Sequence, residues 1–379
     1  MRSSLRLVTL VSVVIACSTD QIPTDPAADA ASAAPAAVTV AFRQVTTGTA
    51  HTCAVASDDR AYCWGYNDLG QLGDGTFEQR TRPVAVAGRL RFRVISAGNG
   101  STCGITTDLL AYCWGNIANP SPTPVPGGRR WRTIDAGLDF VCGISEPDRL
   151  AYCWGVNFMG QLGDGTLSGR AVPTPVLGGR AYRNITTGAA HTCAVTVDKK
   201  AFCWGDNRNV QLGDGTTQRR RTKPRPVAGE HDFVQLDAGR EHTCGVTTND
   251  RAFCWGATMD GVGDGTTAPR GVPTALATSQ RFDRVSGFGE HSCGETTTNR
   301  AYCWGFNRYG GLGDGTTTRR LRPVAVTGGL TFGQVSAGGT HSCGVTGTGV
   351  LYCWGGNYTG QLGDGTLEDR EVPTLITVP

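Results

Sequence analysis

The tripeptide Cys-Trp-Gly occurs seven times, beginning at Cys63, Cys113, Cys153, Cys203, Cys254, Cys303 and Cys353. The steps between copies are 50, 40, 50, 51, 49 and 50 residues. A chain that repeats at such a period makes one small unit many times and stacks the copies to bury a shared core. Residues 38–379 hold all seven copies, at about 49 residues each, and leave no room for a second folded domain.

Each copy carries the same local signals. In the first, the β-type run Phe42-Arg43-Gln44-Val45 leads to Gly48, and His51-Thr52-Cys53 opens a second run. A polar turn, Ser57-Asp58-Asp59, precedes Ala61-Tyr62-Cys63-Trp64-Gly65. A glycine-rich loop follows from Asn67 to Thr76, and Pro83-Val84 closes the unit. Short runs of Val, Tyr, Phe, Trp and Thr split by Gly and Asp turns are antiparallel β-structure. No apolar periodicity of helical length is present. Charged residues make up 18% of the chain, with no long single-sign block, so most of it is not disordered. A net charge of +3 argues against nucleic acid as a partner.

The unit Gly-x-x-His-Thr-Cys followed by Tyr-Cys-Trp-Gly-x-Asn-x-x-Gly-Gln-Leu-Gly-Asp-Gly-Thr resembles the repeat of the regulator of chromosome condensation family. The resemblance covers residues 38–379. It implies a seven-bladed β-propeller, all-β, each blade a four-stranded antiparallel sheet. The second copy departs from it: Asn116-Ile117-Ala118-Asn119-Pro120 follows Trp114-Gly115, and no Gly-Gln-Leu-Gly-Asp-Gly-Thr appears. Its outer loop is therefore expected to be short. The resemblance also implies partner proteins bound through a propeller face. Nuclear relatives act on a small GTPase and on chromatin, roles an exported protein would not meet, whereas secreted bacterial relatives include enzyme inhibitors.

Fourteen of the fifteen cysteines fall two per copy, as Cys53/Cys63, Cys103/Cys113, Cys142/Cys153, Cys193/Cys203, Cys244/Cys254, Cys293/Cys303 and Cys343/Cys353. Positions ten apart around a tight turn face each other across a hairpin, within reach of a disulfide. Seven cross-strand disulfides are expected, each closing a short loop and contributing about 2–3 kcal/mol. Such cysteine usage belongs outside a reducing cytosol.

Other chemistries fit less well. His51, His191, His242, His291 and His341 stand two residues before a cysteine, but copies two and three have Gly100-Ser101 and Phe140-Val141 there. A ligand set missing from two copies is packing or hydrogen bonding, and no metal is expected. Asp74, Asp164, Asp214, Asp264, Asp314 and Asp364 lie in Gly-Asp-Gly-Thr turns whose intervening Leu and Gly do not make a calcium loop. The seven repeated tryptophans are expected to be inter-blade packing. The basic run Arg219, Arg220, Arg221, Lys223 and Arg225 reads as a solvated outer loop. No nucleophile elbow or helical His-Glu pair is present, so neither enzyme activity nor a cofactor is expected.

Strand direction alternates in an antiparallel blade. The Gly-x-x-His loops and the Trp-Gly-x-Asn loops therefore emerge on one face. Positions that differ between copies are free to form a recognition surface there. Tyr66, Phe158, Met159, Arg208, Arg308, Tyr309 and Tyr358 from the second loop set, with Phe140 and Arg240 from the first, are the candidate partner-binding residues. Non-identical loops favour one asymmetric protein partner. The alternative is a glycan-binding or structural module of the cell envelope.

Arg2 and Arg6 followed by the apolar Leu7–Ala16 resemble a secretory leader, and Val14-Ile15-Ala16-Cys17 resembles a bacterial lipobox. Residues 1–16 are then a signal peptide, Cys17 the lipidation site, and residues 17–37 a flexible tether rich in Ala, Pro, Asp, Ser and Thr. No apolar run reaches 18 residues, so the lipid would be the only membrane attachment. The expectation is an extracytoplasmic, lipid-anchored, monomeric scaffold.

Overall fold

A computed structural model describes residues 40–116, 119–257 and 261–379. The expected leader, tether and Cys17 lie outside the described residues. Each copy of the repeat folds into one four-stranded antiparallel sheet with its strands in chain order, giving seven sheets. In the first blade the strands are Phe42–Thr47, His51–Ala56, Ala61–Gly65 and Arg80–Ala85. No helix occurs among the described residues. The first strand of each blade lines a central channel, so the molecule is a seven-bladed propeller. In the second blade the outer strand shrinks to Thr123–Pro124, as its short outer loop requires.

Strand alternation explains the Tyr-Cys-Trp order. Successive side chains point to opposite faces of a sheet. Tyr62 and Trp64 therefore face the preceding blade, where they pack with Cys343, Cys353 and Leu362. Ala61 and Cys63 face the following blade and meet Phe92, Ile95 and Trp114. The hydrophobic core thus lies in seven layers between sheets. Six of the seven repeat tryptophans are fully buried, and every blade contributes to two layers.

All seven cysteine pairs are disulfides. Each joins directly opposed residues of the second and third strands, as in Cys193↔Cys203. Their Cα separations are 4.0–4.1 Å. Sulfur bridges on this scale place the propeller in an oxidising compartment.

Among the described residues no strand is exchanged to close the ring, since the seventh blade runs contiguously from Phe332–Ala337 to Arg370–Ile376. Closure repeats contacts made between other blades, a glutamine–amide bond like that of Gln44 with Ile95 and a backbone bond like that of Phe92 with Asp59. The amide of Val45 donates to Gln334 Oε1 at 3.2 Å, and the amide of Phe42 donates to the Gly349 carbonyl at 2.9 Å.

Candidate functional site

The aspartates of the Gly-Asp-Gly-Thr turns are structural. Asp164 Oδ1 accepts from the Thr166 amide at 2.9 Å and its hydroxyl at 2.8 Å, while Arg170 Nε donates to Oδ2 at 2.8 Å. Burial alone would raise this carboxyl, but the Thr166 donors and Arg170 hold it below its ordinary value. The same Asp–Arg pair recurs as Asp74–Arg80, Asp214–Arg221, Asp264–Arg270, Asp314–Arg320 and Asp364–Arg370. With an arginine seated on each carboxylate, these turns are closed by ion pairs. Five of the six loops are further held by an asparagine, the Asp264 loop having Thr258 at that place in the sequence. Asn157 Oδ1 accepts from Leu162 N at 3.0 Å, and its amide donates to the carbonyls of Thr166 and Ser168.

The five histidines are inter-blade links. His51 Nε2 lies 2.9 Å from Thr102 Oγ1 in the next blade, and His341 Nε2 lies 2.8 Å from Thr52 across the closure. His191, His242 and His291 do the same with Thr243, Ser292 and Ser342. The Thr102 hydroxyl already donates to the Gln71 carbonyl at 2.8 Å, so it accepts from a His51 ring protonated on Nε2. Nδ1 is left buried and unpaired in all five rings. Burial pushes the imidazoles down, to about 3 in His51, His191 and His341 and about 4 in His242 and His291. They are neutral structural groups.

The channel wall is stitched by a second ring. Gln44 Oε1 accepts from the Ile95 amide at 3.0 Å and its Nε2 donates to the Ile95 carbonyl at 2.7 Å. Gln235 and Gln334 repeat this on Val285 and Val45. Asp135 and Asp237 also face the channel. Asp135 accepts from the Thr187 amide at 2.7 Å, and Asp237 from the Gly287 amide at 3.0 Å. Burial raises both carboxyls, Asp237 to about 7 with help from Asp135. Burial likewise lifts Glu295 to about 7.

At the loop face, the channel opens into a concavity of about 400 Å³. One loop residue from each blade rims it: Thr49, Asn99, Leu138, Ala189, Arg240, Gly289 and Gly339. Backbone bonds such as Thr49 N to Gly98 O and Gly339 N to Gly48 O join neighbouring loops into a rigid collar. On one side, Phe288, Phe306, Tyr309 and Tyr358 add aromatic surface from blades six and seven. Phe306 and Tyr309 have ring centroids 6.0 Å apart, and the Arg308 guanidinium lies 5.9 Å from the Tyr309 ring. Tyr358 is 55% exposed. Arg240 Nη1 donates to Glu290 Oε1 at 3.3 Å.

The structure gathers only part of the expected binding set. Arg240, Tyr309 and Tyr358 rim the mouth, with Arg308 stacked beside Tyr309. Phe158 and Met159 lie away on blade three, Tyr66 is half-buried on blade one, and Arg208 is tied to Asp206 at 2.9 Å. Phe140 is corrected: it is 1% exposed and fills the slot that histidine occupies in five other blades, so its ring belongs to the core. Two aromatic mouth residues escaped the sequence reading. Phe306 directly follows a Trp-Gly pair, at the same step as Tyr66. Phe288 stands where the other six blades have glycine, as at Gly48, where an added Cβ would lie 2.2 Å from a carbonyl oxygen. A large residue in a slot that tight was the available signal. The basic run lies along the outer edge strand of blade four, where Arg221 pairs with Asp214 and its neighbours are exposed, a charge pattern that blunts a sheet edge.

The regulator of chromosome condensation (RCC1) repeat model matches residues 58–105, 150–195, 198–246, 299–345 and 348–379. A second model of that repeat matches residues 42–71, 182–211 and 334–361. The first set alone spans more than half of the chain, and the protein belongs to the RCC1 repeat family. Among solved structures, human WBSCR16 is 20% identical with a TM-score of 0.76, covering 85% of this chain and 95% of that one. Yeast RCC1 (Prp20), solved bound to Kap60, is 19% identical with a TM-score of 0.74, covering 90% and 84%. The ectodomain of the Arabidopsis thaliana receptor kinase ACR4 is 22% identical with a TM-score of 0.57, covering 90% and 100%. At these identities the likeness is one of fold.

Proposed function

We propose that this protein is an exported, lipid-anchored scaffold that binds one partner protein through the loop face. The observation that carries the reading is the asymmetry of the mouth. Seven equivalent positions present seven loops of differing residues, and the aromatic side chains concentrate on two adjacent blades. Repeat-equivalent sugar pockets would need the same residues in each blade. Aromatic rings beside arginines on a rigid collar have the composition of a protein hot spot. The yeast relative, solved with Kap60 and studied for binding to Gsp1p and histones, supports protein binding as the use of this fold.

Two experiments test it. Partners cross-linked to the mature protein in the cells that make it are identified by mass and their affinity measured. Tyr309→Ala with Tyr358→Ala is expected to weaken binding about 30-fold or more, roughly 2 kcal/mol, with an unchanged thermal midpoint. Undiminished affinity removes the mouth as the binding site. For the anchor, Cys17→Ala is expected to abolish incorporation of labelled fatty acid and to move the protein from the membrane to the soluble fraction. Label retained in that variant overturns lipidation at Cys17.

A further inference from the structure

Each full-length outer loop of this propeller covers a tryptophan of the next blade. Trp114 Nε1 donates to the Gln71 carbonyl at 2.9 Å, Leu72 is fully buried beside it, and Gly73 lies flat against the indole. Trp204 is capped in the same way by Gln161, Leu162 and Gly163, and Trp354 by Gly311, Leu312 and Gly313. Gly363 lies on Trp64 across the ring closure. The glycines are required here, since a Cβ at Gly73 would come within 2.6 Å of the indole nitrogen.

The second blade lacks this loop, and among the described residues nothing caps the tryptophan of the third blade in this way. Trp154 keeps 7% exposure where the other six repeat tryptophans have 0–1%. Around it an open groove of about 450 Å³ separates blades two and three, floored by Trp154 and Val141 and flanked by Phe158, Asp139 and Arg170. Phe158 is 73% exposed at its rim. Trp131, larger than the phenylalanine at the same place in blades one, two and five to seven, packs 5.6 Å from Trp154, and the groove stays open.

We propose that the groove between blades two and three is a docking site for a glycine-containing loop of a partner protein. The chain itself specifies the occupant's chemistry, because it fills the equivalent grooves with one peptide. At all six capped tryptophans that peptide lays a glycine flat on the ring and buries a leucine or valine in the interlayer core, and at Trp114, Trp204 and Trp354 it also brings a backbone carbonyl to the indole N–H. In blade three the hydroxyl that also donates to this carbonyl elsewhere, as Thr102 does at 2.8 Å, is replaced by Val141. The groove therefore offers one donor and a more apolar floor. This site is separate from the mouth of the channel and stands whether or not the mouth binds a partner.

The probe is a synthetic peptide of residues 67–78, the segment that fills the groove between blades one and two. It is titrated into the mature protein carrying ¹⁵N-labelled tryptophan. One indole N–H resonance, assigned by its disappearance in Trp154→Phe, is expected to shift saturably while the resonances of the capped tryptophans stay in place. The peptide carrying Leu72→Asp is expected to lose the shift. So is a protein variant in which residues 156–169 of blade three replace 116–122 of blade two. An unmoved Trp154 resonance at millimolar peptide overturns the proposal, as does an equal shift with the Leu72→Asp peptide. Without peptide, a Trp154 N–H that exchanges as slowly as that of Trp114 shows that the chain covers the groove itself, which also overturns it. Dimerisation of the wild-type protein that the loop replacement abolishes assigns the groove to a second copy instead of a partner.

Discussion

Reduction of the native protein unfolds it. Seven short-loop disulfides contribute about 2–3 kcal/mol each on the chain-entropy account, on the order of 15–20 kcal/mol together. Native domains are stable by only about 5–15 kcal/mol, so the reduced chain is left without a favourable balance. The sulfurs are almost wholly buried, which makes reduction slow until the sheets open. The expected result is a loss of buried-tryptophan fluorescence and near-ultraviolet dichroism on long incubation with excess dithiothreitol, faster in moderate denaturant. Removing a single bridge, Cys193→Ala with Cys203→Ala, is expected to lower stability by about 2–3 kcal/mol with the fold kept. A reduced protein with the denaturation midpoint of the oxidised one would falsify the stapling role.

Acid is the second large lever. The five buried imidazoles have folded values of about 3 to 4 against about 6.5 when exposed. Below pH 6.5 the unfolded chain takes up five protons that the folded chain refuses, so their effect on stability is lost as pH falls. Asp237 and Glu295, raised to about 7, run the other way, and so does Asp135. In the folded state these carboxyls hold protons that the unfolded state releases above about pH 4. Five against two or three leaves a net uptake of about two to three protons on unfolding, a slope of roughly 3–4 kcal/mol per pH unit. The six Asp–Arg turns, whose carboxyls are held low, add their loss at the acid end. The thermal midpoint is expected to fall by on the order of 10 °C between pH 6.5 and 4.5.

His191→Phe separates the histidines from the other groups. Blade three already carries Phe140 in this slot, with the Thr192 hydroxyl donating to Gln161 O at 2.8 Å, and Thr243 keeps the equivalent bond to Gln211 O. The substitution exchanges one hydrogen bond for the removal of an orphaned Nδ1, so it is expected to cost less than about 1 kcal/mol at pH 7. Between pH 6 and 4 it is expected to recover about 1.4 kcal/mol per pH unit. An unchanged pH dependence in this variant would assign the acid sensitivity elsewhere.

The repeats explain what could be read in advance. The Cys-to-Cys spacing lies within one hairpin, so pairing followed from strand geometry alone. The histidines were expected to pack or to hydrogen-bond, but their partners lie about 50 residues on, in the next blade. Nothing local to His51 points to Thr102. Phe140 was misplaced for the same kind of reason: its loop position suggested exposure, whereas the neighbouring sheet buries it. Phe158 and Tyr358 have equivalent sequence positions, as do Tyr66 and Phe306, yet their surroundings differ, because the mouth depends on which blades adjoin.

From the amino-acid order alone came the number of blades, the hairpins, the sulfur pairs and the truncated second loop. These depend on turns and alternation over ten or so residues. The tertiary structure decided the ring of imidazole–hydroxyl links, the buried carboxyls of the channel, the aromatic side of the mouth and the uncapped Trp154. Each of these exists only between blades, and a blade's neighbour is set by closure of the ring, which no single repeat encodes.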